Sequence, residues 1–203
     1  MIKCNVTING VVSKAASCRT NHEGKPFVTF ALQVVIPANN GINQTLEISA
    51  IKDGTLIEAG VPAAGSRVEV TGTLTLRKRG DNLYFNLSAT GINQTVSSQQ
   101  DSIRGTMDFR GKVGKTIDEK TSKNGKPYLQ FSAFSTEKVS DGFEYTWIRF
   151  IGFDQEREAW LQTSTLIQAK GELELSVYND KLNVSCRIEE MAAYVKPPYN
   201  PNN

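Results

Sequence analysis

The sequence predicts an all-β protein made of two tandem five-stranded barrels, each with a short helix between its third and fourth strands. Three observations support this prediction. One segment recurs at a fixed distance along the chain, the strands alternate apolar and polar residues, and both copies have the same order of elements.

The repeat is clearest at a lysine-proline corner. Gly24-Lys25-Pro26 recurs as Gly125-Lys126-Pro127, 101 positions later, and Phe30 and Phe131 keep that offset. Further on, VEVTGTLTL in the first half matches IQAKGELEL in the second. We therefore expect one domain over residues 1–95, a polar linker over 96–106, a second domain over 107–195 and a Pro/Asn-rich tail over 196–203.

Each half begins with a long strand, Ile2–Ala16 or Met107–Asp118, followed by a polar loop and an alternating strand. In the alternating strand, one side carries Val28, Phe30 and Leu32. Such a period of two indicates one buried and one exposed face. A third strand follows in each half, over Gln44–Ile51 and Glu144–Phe153.

A short helix is predicted after the third strand of each half. The segments are DGTLIEAG and DQEREAWLQ, which begin with Asp53 and Asp154 as candidate N-caps. We expect Trp160 to be buried on the second helix. Two last strands form a hairpin in each half, at RKRGDN and at VYNDK, where Gly80-Asp81 and Asn179-Asp180 favour a turn.

The predicted order is strand, strand, strand, helix, strand, strand. This is the order of an OB-fold, whose second and third strands and connecting loops commonly face an oligonucleotide. A plain β-sandwich is the alternative, although a sandwich does not require a helix at that point in both halves.

The charge, the apolar runs and the cysteines limit the classes of function that this protein can have. The net charge is only +2, but seven Lys or Arg residues face three acids between Arg104 and Tyr128. The apolar runs are too short to span a membrane, and the three scattered cysteines form neither a disulfide framework nor a zinc site. We expect a cytoplasmic protein with reduced cysteines and no membrane partner, cofactor or metal.

Catalytic motifs are not recognisable. RGKVGKTI imitates a phosphate-binding loop but has Phe109 where the motif requires glycine. His22, the only histidine, lies in a predicted loop without a nucleophile in a recognisable frame. We therefore predict a binding protein and not an enzyme.

Two stretches resemble bacterial and phage single-stranded DNA-binding proteins. They are EYTWIRFIGFDQEREAWLQTSTLIQAKGELEL in the second half and RVEVTGTLTLRKRGDNLYFNL in the first. The resemblance implies that bases stack on aromatic side chains in a basic groove, with Trp147 at the family's stacking tryptophan position and Arg149 at a basic position beside it.

The chain departs from that family in two ways. Family members usually have one barrel per chain and assemble as four chains, so the fusion of two barrels here implies a homodimer with four. The family's usual tail is glycine-rich with an acidic tip that recruits repair enzymes, whereas this chain ends MAAYVKPPYNPNN. The resemblance therefore does not imply recruitment of those enzymes.

Alternation predicts which side chains of the second half are exposed. If Leu129 and Phe131 point inward, and Ile148 and Phe150 do so on the next strand, a face of aromatic and basic residues points outward. Stacking on this face is our hypothesis, and packing in a core or a subunit interface is the alternative. The outward candidates are Tyr128, Phe134, Tyr145, Trp147, Arg149 and Phe153.

The first half offers fewer such residues because its third strand, TLEISAI, has neither ring nor base. Its candidates are Lys25, Phe27, Tyr84 and the hairpin cluster Arg77, Lys78 and Arg79. That cluster could equally be a solvated hairpin tip. In the second half the corresponding cations are Lys112, Lys115, Lys120, Lys123 and Lys126.

We therefore predict a protein that binds single-stranded DNA without sequence preference, in replication, recombination, repair, or phage or plasmid propagation. RNA remains an open alternative ligand, since no residue identifies a 2′-hydroxyl contact. The rival function is a protein-interaction module in a replication or mobile-element assembly. A weak salt dependence would favour that rival, because phosphate contacts make affinity fall steeply with salt.

Overall fold

The computed structural model describes residues 1–38, 41–94 and 100–195. The predicted tail over 196–203 and part of the predicted linker lie outside these residues. The described chain is almost entirely β-structure, which confirms the predicted class. In chain order the elements are β1 (Ile2–Thr20), β2 (Pro26–Ile36), β3 (Gln44–Asp53), α1 (Leu56–Ala59), β4 (Arg67–Arg79), β5 (Asn82–Asn93), β6 (Ser102–Thr121), β7 (Pro127–Val139), β8 (Gly142–Phe153), β9 (Leu166–Tyr178) and β10 (Lys181–Ala193).

Each half closes into a five-stranded barrel. In the first barrel β1 pairs with β2, β2 with β3, β3 with β5, β5 with β4 and β4 with β1, and only the β3–β5 pair is parallel. The second barrel repeats this with β6, β7, β8, β10 and β9, and its parallel pair is β8–β10. One repeated plan therefore gives two barrels of the same topology.

The alternating residues fill the barrel interiors as predicted. Val28 and Leu32 are fully buried in the first barrel. In the second, Phe150 lies at the centre of a ring cluster, with ring centroids 4.8 Å from Phe109 and 5.1 Å from Phe131. Because one face of each strand is committed to this core, the other face is left for solvent or a ligand.

The predicted helix is present in the first barrel, but its N-cap is Thr55 and not Asp53. The Thr55 hydroxyl accepts a hydrogen bond from the backbone N–H of Glu58, and the Glu58 carboxylate accepts one from the backbone N–H of Thr55. This capping box sets the start of α1. Gly60, in the left-handed conformation, ends it.

The predicted helix of the second barrel is wrong. Residues 154–165 form turns and irregular structure, and Asp154 has φ 55°, which is incompatible with an N-cap. Leu161 is fully buried there, whereas Trp160 is only half-buried and donates its indole N–H to Glu158 Oε2 at 2.7 Å. A buried leucine therefore takes the core position expected for Trp160.

The last residues of the predicted linker over 96–106 lie in a strand, because β6 begins at Ser102. This early part of β6 pairs antiparallel with β1 of the first barrel, from Ile2–Phe109 to Asn9–Ser102. At the middle of the register Asn5 pairs with Thr106, its own equivalent 101 positions later. The two barrels are thus joined in one sheet, about a local pseudo-twofold axis.

Each barrel also contacts the other through a hairpin. The β4–β5 hairpin meets the β7–β8 hairpin, where Arg77 Nε lies 3.5 Å from Glu137 Oε1 and the Gly80 N–H donates to Glu144 Oε1 at 3.1 Å. Reciprocally, the Gln44 side-chain amide donates to the carbonyl of Asp180 in the β9–β10 hairpin. These contacts hold the barrels in a fixed relation.

Within the part of the chain that the structure describes, no helix has the length and apolar character needed to cross a membrane.

Candidate nucleic-acid interface

Aromatic side chains cover the outward side of β7 and β8. Trp147 is 51% exposed, and Tyr145, Phe153 and Phe143 are exposed to a similar degree. We call the outward rings of these two strands the aromatic face; its members are Tyr128, Phe134, Phe143, Tyr145, Trp147 and Phe153. The inward neighbours on both strands are buried, so the predicted facing of these strands is confirmed.

Five of the rings of the aromatic face contact one another at tilted or edge-on angles and remain partly exposed. The Phe134 ring centroid lies 4.8 Å from that of Trp147 and 5.4 Å from that of Tyr145. At the other end of the face, Tyr128 and Phe153 lie 6.1 Å apart. Such contacts hold large apolar rings in place without burying them, which is the arrangement a stacking surface needs.

Each ring pair lies in a cross-strand row with a lysine of β6. One row runs Lys112, Phe134, Trp147. The other runs Lys120, Tyr128, Phe153. At about 3.3 Å per residue, the six residues that separate the rows along β7 span about 20 Å.

Arg149 occupies the space between the two rows. Its guanidinium donates a hydrogen bond to Gln130 Oε1 at 2.7 Å. Arg149 therefore places a positive charge between the two rows of rings.

Trp147 lies against Gly114, where even an added Cβ atom would come within 3.0 Å of the indole.

The remaining lysines predicted for the second barrel divide by their partners. Lys115 and Lys123 are exposed and have no ion pair among the described residues. Lys126 is paired with Asp154 at 3.1 Å. Lys120 has a longer contact, 3.5 Å, with Asp118. Of the lysines predicted for this barrel, Lys112, Lys115 and Lys123 thus have no ion pair in the described chain and are available to phosphates.

The three cations of the basic hairpin in the first barrel also differ in their ion-pair partners. Arg77 is engaged with Glu137 of the second barrel. Arg79 is exposed, Lys78 is half-buried, and neither has an ion pair in the described chain. The three residues predicted as one phosphate-binding cluster therefore include one arginine that joins the barrels.

The first barrel lacks an equivalent of the aromatic face. Phe27 is half-buried, and its pairing partner on β3 is Asp53. Tyr84 is 49% exposed but lies on β5. Lys25 pairs with Glu23 at 2.9 Å. The structure does not bring these predicted residues together into one surface.

Three residues near the aromatic face were not predicted. Phe143 continues the alternation of Tyr145 and Trp147, so extending that pattern by one step would have found it. Arg187 lies over the Phe153 ring at 5.1 Å, and Gln130 orients Arg149. No local pattern could find Arg187, because it reaches the face through the parallel pairing of β10 with β8.

Ionisable clusters suited to catalysis or metal binding are not a feature of this surface. Across residues 1–38, 41–94 and 100–195, no three His, Cys, Asp or Glu side chains are grouped as metal ligands. His22 is 90% exposed in its side chain and contacts only Glu23, at 3.9 Å.

No protein-family model matches this chain, and no curated protein matches it at a significant level. Several solved structures do match this chain. The single-stranded DNA binding protein from Thermus aquaticus is 12% identical, with a TM-score of 0.48, over 98% of this chain and 96% of that chain.

Shorter structures match about half of this chain. The small single-stranded DNA-binding protein from Streptomyces coelicolor is 24% identical over 48% of this chain and 96% of its own, with a TM-score of 0.37. A mitochondrial single-stranded DNA binding protein from S. cerevisiae is 17% identical over 43% and 92%, with a TM-score of 0.36. The two closed barrels follow from the chain's own strand pairings, and these three solved structures are of single-stranded DNA-binding proteins.

Proposed function

We propose that this protein binds single-stranded DNA without sequence preference, and that the aromatic face of the second barrel is the main binding surface. The observation that carries the proposal is the pair of ring rows, each with a β6 lysine in register and with Arg149 between them. Exposed rings that alternate with cations match the two needs of a single strand, which are stacking for its bases and neutralisation for its phosphates.

In the proposed complex one base stacks at Trp147 and Phe134, and another stacks at Phe153 and Tyr128. Each such base–aromatic contact contributes about 1–3 kcal/mol and is tolerant of sequence, because every base has a π-face. Lys112 and Arg149 meet phosphates of the backbone between the stacked bases. A duplex is excluded from this mode, because its bases are already stacked and paired.

A fluorescence titration tests the proposal. Oligo-dT, an RNA of equal length and a duplex would each be added to the full chain at two salt concentrations. We expect tight binding of oligo-dT, weak binding of duplex, and an affinity that falls as salt rises by about 0.7 log units per log unit for each phosphate neutralised on a single strand. Binding that does not respond to salt would contradict the proposal and favour a protein ligand.

We also propose that two chains associate, so that the assembly presents four barrels. The support is the resemblance of the sequence to proteins that work as four barrels. Light scattering at several protein concentrations tests this. A mass that remains at one chain, near 22.4 kDa, would contradict it.

We propose the cytoplasm as the site of action, in replication, recombination, repair, or the propagation of a phage or plasmid. Cys4, Cys18 and Cys186 are all free thiols, which suits a reducing compartment. Binding of exposed single strands is common to all these processes.

A further inference from the structure

The first barrel carries carboxylates at the two positions that hold exposed rings in the second. Glu47 pairs with Gln33 in the way that Trp147 pairs with Phe134. Nearer the other end of the same strands, Asp53 pairs with Phe27 in the way that Phe153 pairs with Tyr128. Both rows of the aromatic face thus have a counterpart in which the β8 ring is replaced by an acid on β3.

These acids also change the charge of the first barrel's face. Lys14 Nζ lies 2.7 Å from Glu47 Oε1, and the two side chains are 67% and 47% exposed. The equivalent lysine of the second barrel, Lys115, is exposed and has no ion pair in the described chain. Glu47 therefore neutralises a cation whose counterpart is free.

The groove on this face is lined by small side chains together with Lys14 and Arg19. This shallow groove of about 430 Å³ crosses β1, β2, β3 and β5, and its lining includes Ser17, Thr29, Ala31 and Ser49. Such a groove offers hydroxyl groups but no exposed ring for a base to stack on. Glu47 lines this groove, whereas Asp53 lies beyond it, in the row where Arg19 pairs with Phe27.

We infer that Glu47 and Asp53 exclude the nucleic-acid strand from the outward face of β2 and β3 in the first barrel, so that bases are bound on the second barrel alone. The inference rests on the proposed function and adds a specificity device to it. A strand laid along this face would meet a carboxylate at each of two places about 20 Å apart, and like charges brought together are an effective way to reject a ligand. The consequence is a short site on a chain that has two barrels.

The length of the site can be measured. OB-fold barrels occlude about 4–16 nucleotides each, so the unaltered chain should saturate within that range. In Glu47→Gln with Asp53→Asn we expect more nucleotides occluded per chain. The affinity for oligo-dT longer than one barrel's range should rise about three- to tenfold at low salt, because two repulsive charges are removed.

The salt response gives an independent readout. Freeing Lys14 from Glu47 adds a cation that can meet a phosphate, so the slope of log affinity against log salt should steepen by about 0.7. Glu69→Gln is the matched control, because it removes the same charge from β4 of the same barrel, outside the groove. It should change neither site size nor slope.

Two outcomes overturn the inference while leaving the proposed function intact. The unaltered chain could already occlude more nucleotides than one barrel can, or the double variant could bind long oligo-dT with unchanged site size and slope. Glu47→Gln alone is the second variant, in case the double change affects folding. Failure of the unaltered chain to bind any oligo-dT would instead contradict the proposed function.

Discussion

Glu47 stands in the first barrel where Trp147 stands in the second, each on the outward side of its barrel's third strand and each paired across to the second strand. One is an acid held by Lys14, and the other is an indole lying against Phe134. The same backbone position therefore presents opposite chemistry to a strand of nucleic acid.

Trp147 should report and strengthen binding. A base stacked on its exposed indole should quench its fluorescence, and Trp147→Ala should weaken binding of oligo-dT by about 1–3 kcal/mol. Trp147→Phe should lose most of the quenching but keep part of the affinity, because phenylalanine still stacks. Fluorescence and anisotropy titrations of the same samples separate the two effects.

Trp160 is the control fluorophore for that experiment. It is half-buried, and its indole N–H is already bonded to Glu158. Trp160→Phe should therefore leave the quenching by oligo-dT intact. Quenching that disappears with Trp160 and survives the loss of Trp147 would show that the aromatic face is not the binding surface.

Phe134 and Gln33 form a matched pair, because each pairs with the third-strand residue of its own barrel. Phe134→Ala removes the ring that supports both Trp147 and Tyr145, so oligo-dT affinity should fall by about 1–3 kcal/mol. Gln33→Ala should leave affinity within experimental error. Equal losses in the two variants would mean that both barrels bind the strand alike.

The basic hairpin should divide into two functions. Lys78→Ala with Arg79→Ala should flatten the slope of log affinity against log salt, by up to about 0.7 for each lost phosphate contact. Arg77→Ala should instead leave the slope unchanged, since this arginine already faces Glu137 of the other barrel. A slope that changes only in Arg77→Ala would reverse this assignment.

Asp101 should matter for stability and not for binding. Its largely buried carboxylate lies 2.5 Å from Arg67 Nη2 and accepts the backbone N–H of Val35 at 2.7 Å. Asp101→Ala leaves both donors without this acceptor and should lower the free energy of unfolding by about 1–3 kcal/mol. Denaturant unfolding measures this, and Asp141→Ala, in the exposed β7–β8 turn, should have little effect.

The three cysteines should differ in reactivity. Burial raises the pKa of the Cys4 and Cys186 thiols to about 12, from an ordinary value of 9.0, so both remain protonated at neutral pH. Cys18 is exposed. Because the thiolate is the nucleophile, a thiol reagent should modify one cysteine in the native protein and all three after unfolding. Rapid native labelling of Cys18→Ser would contradict the burial of the other two.

The aromatic face was predictable because a strand alternates with a strict period of two. Once Phe131 and Phe150 were assigned to the core, Phe134 and Trp147 had to point outward. Predicting that these rings are exposed required no knowledge of distant contacts. The same reasoning predicted that the third strand of the first barrel exposes no aromatic ring.

Two of the errors come from interactions that no local pattern contains, whereas the Thr55 N-cap belongs to a local capping box with Glu58. Asp154 was predicted as an N-cap, but its backbone N–H bonds to the carbonyl of Pro127 and its side chain to Lys126, both about thirty residues earlier in the chain. The role of Arg77 likewise depends on Glu137, which belongs to the other barrel. Only the three-dimensional register brings these partners together.

The pairing of Asn5 with Thr106 has a consequence for what the duplicated chain can become. A register in which equivalent residues pair is the register expected between two identical subunits related by a twofold axis. In such a dimer, a substitution in one subunit is always present in the other. Joining the two halves in one chain keeps that contact and allows their sequences to diverge. Two identical single-barrel subunits could not carry an aromatic ring at one site and an acid at the equivalent site.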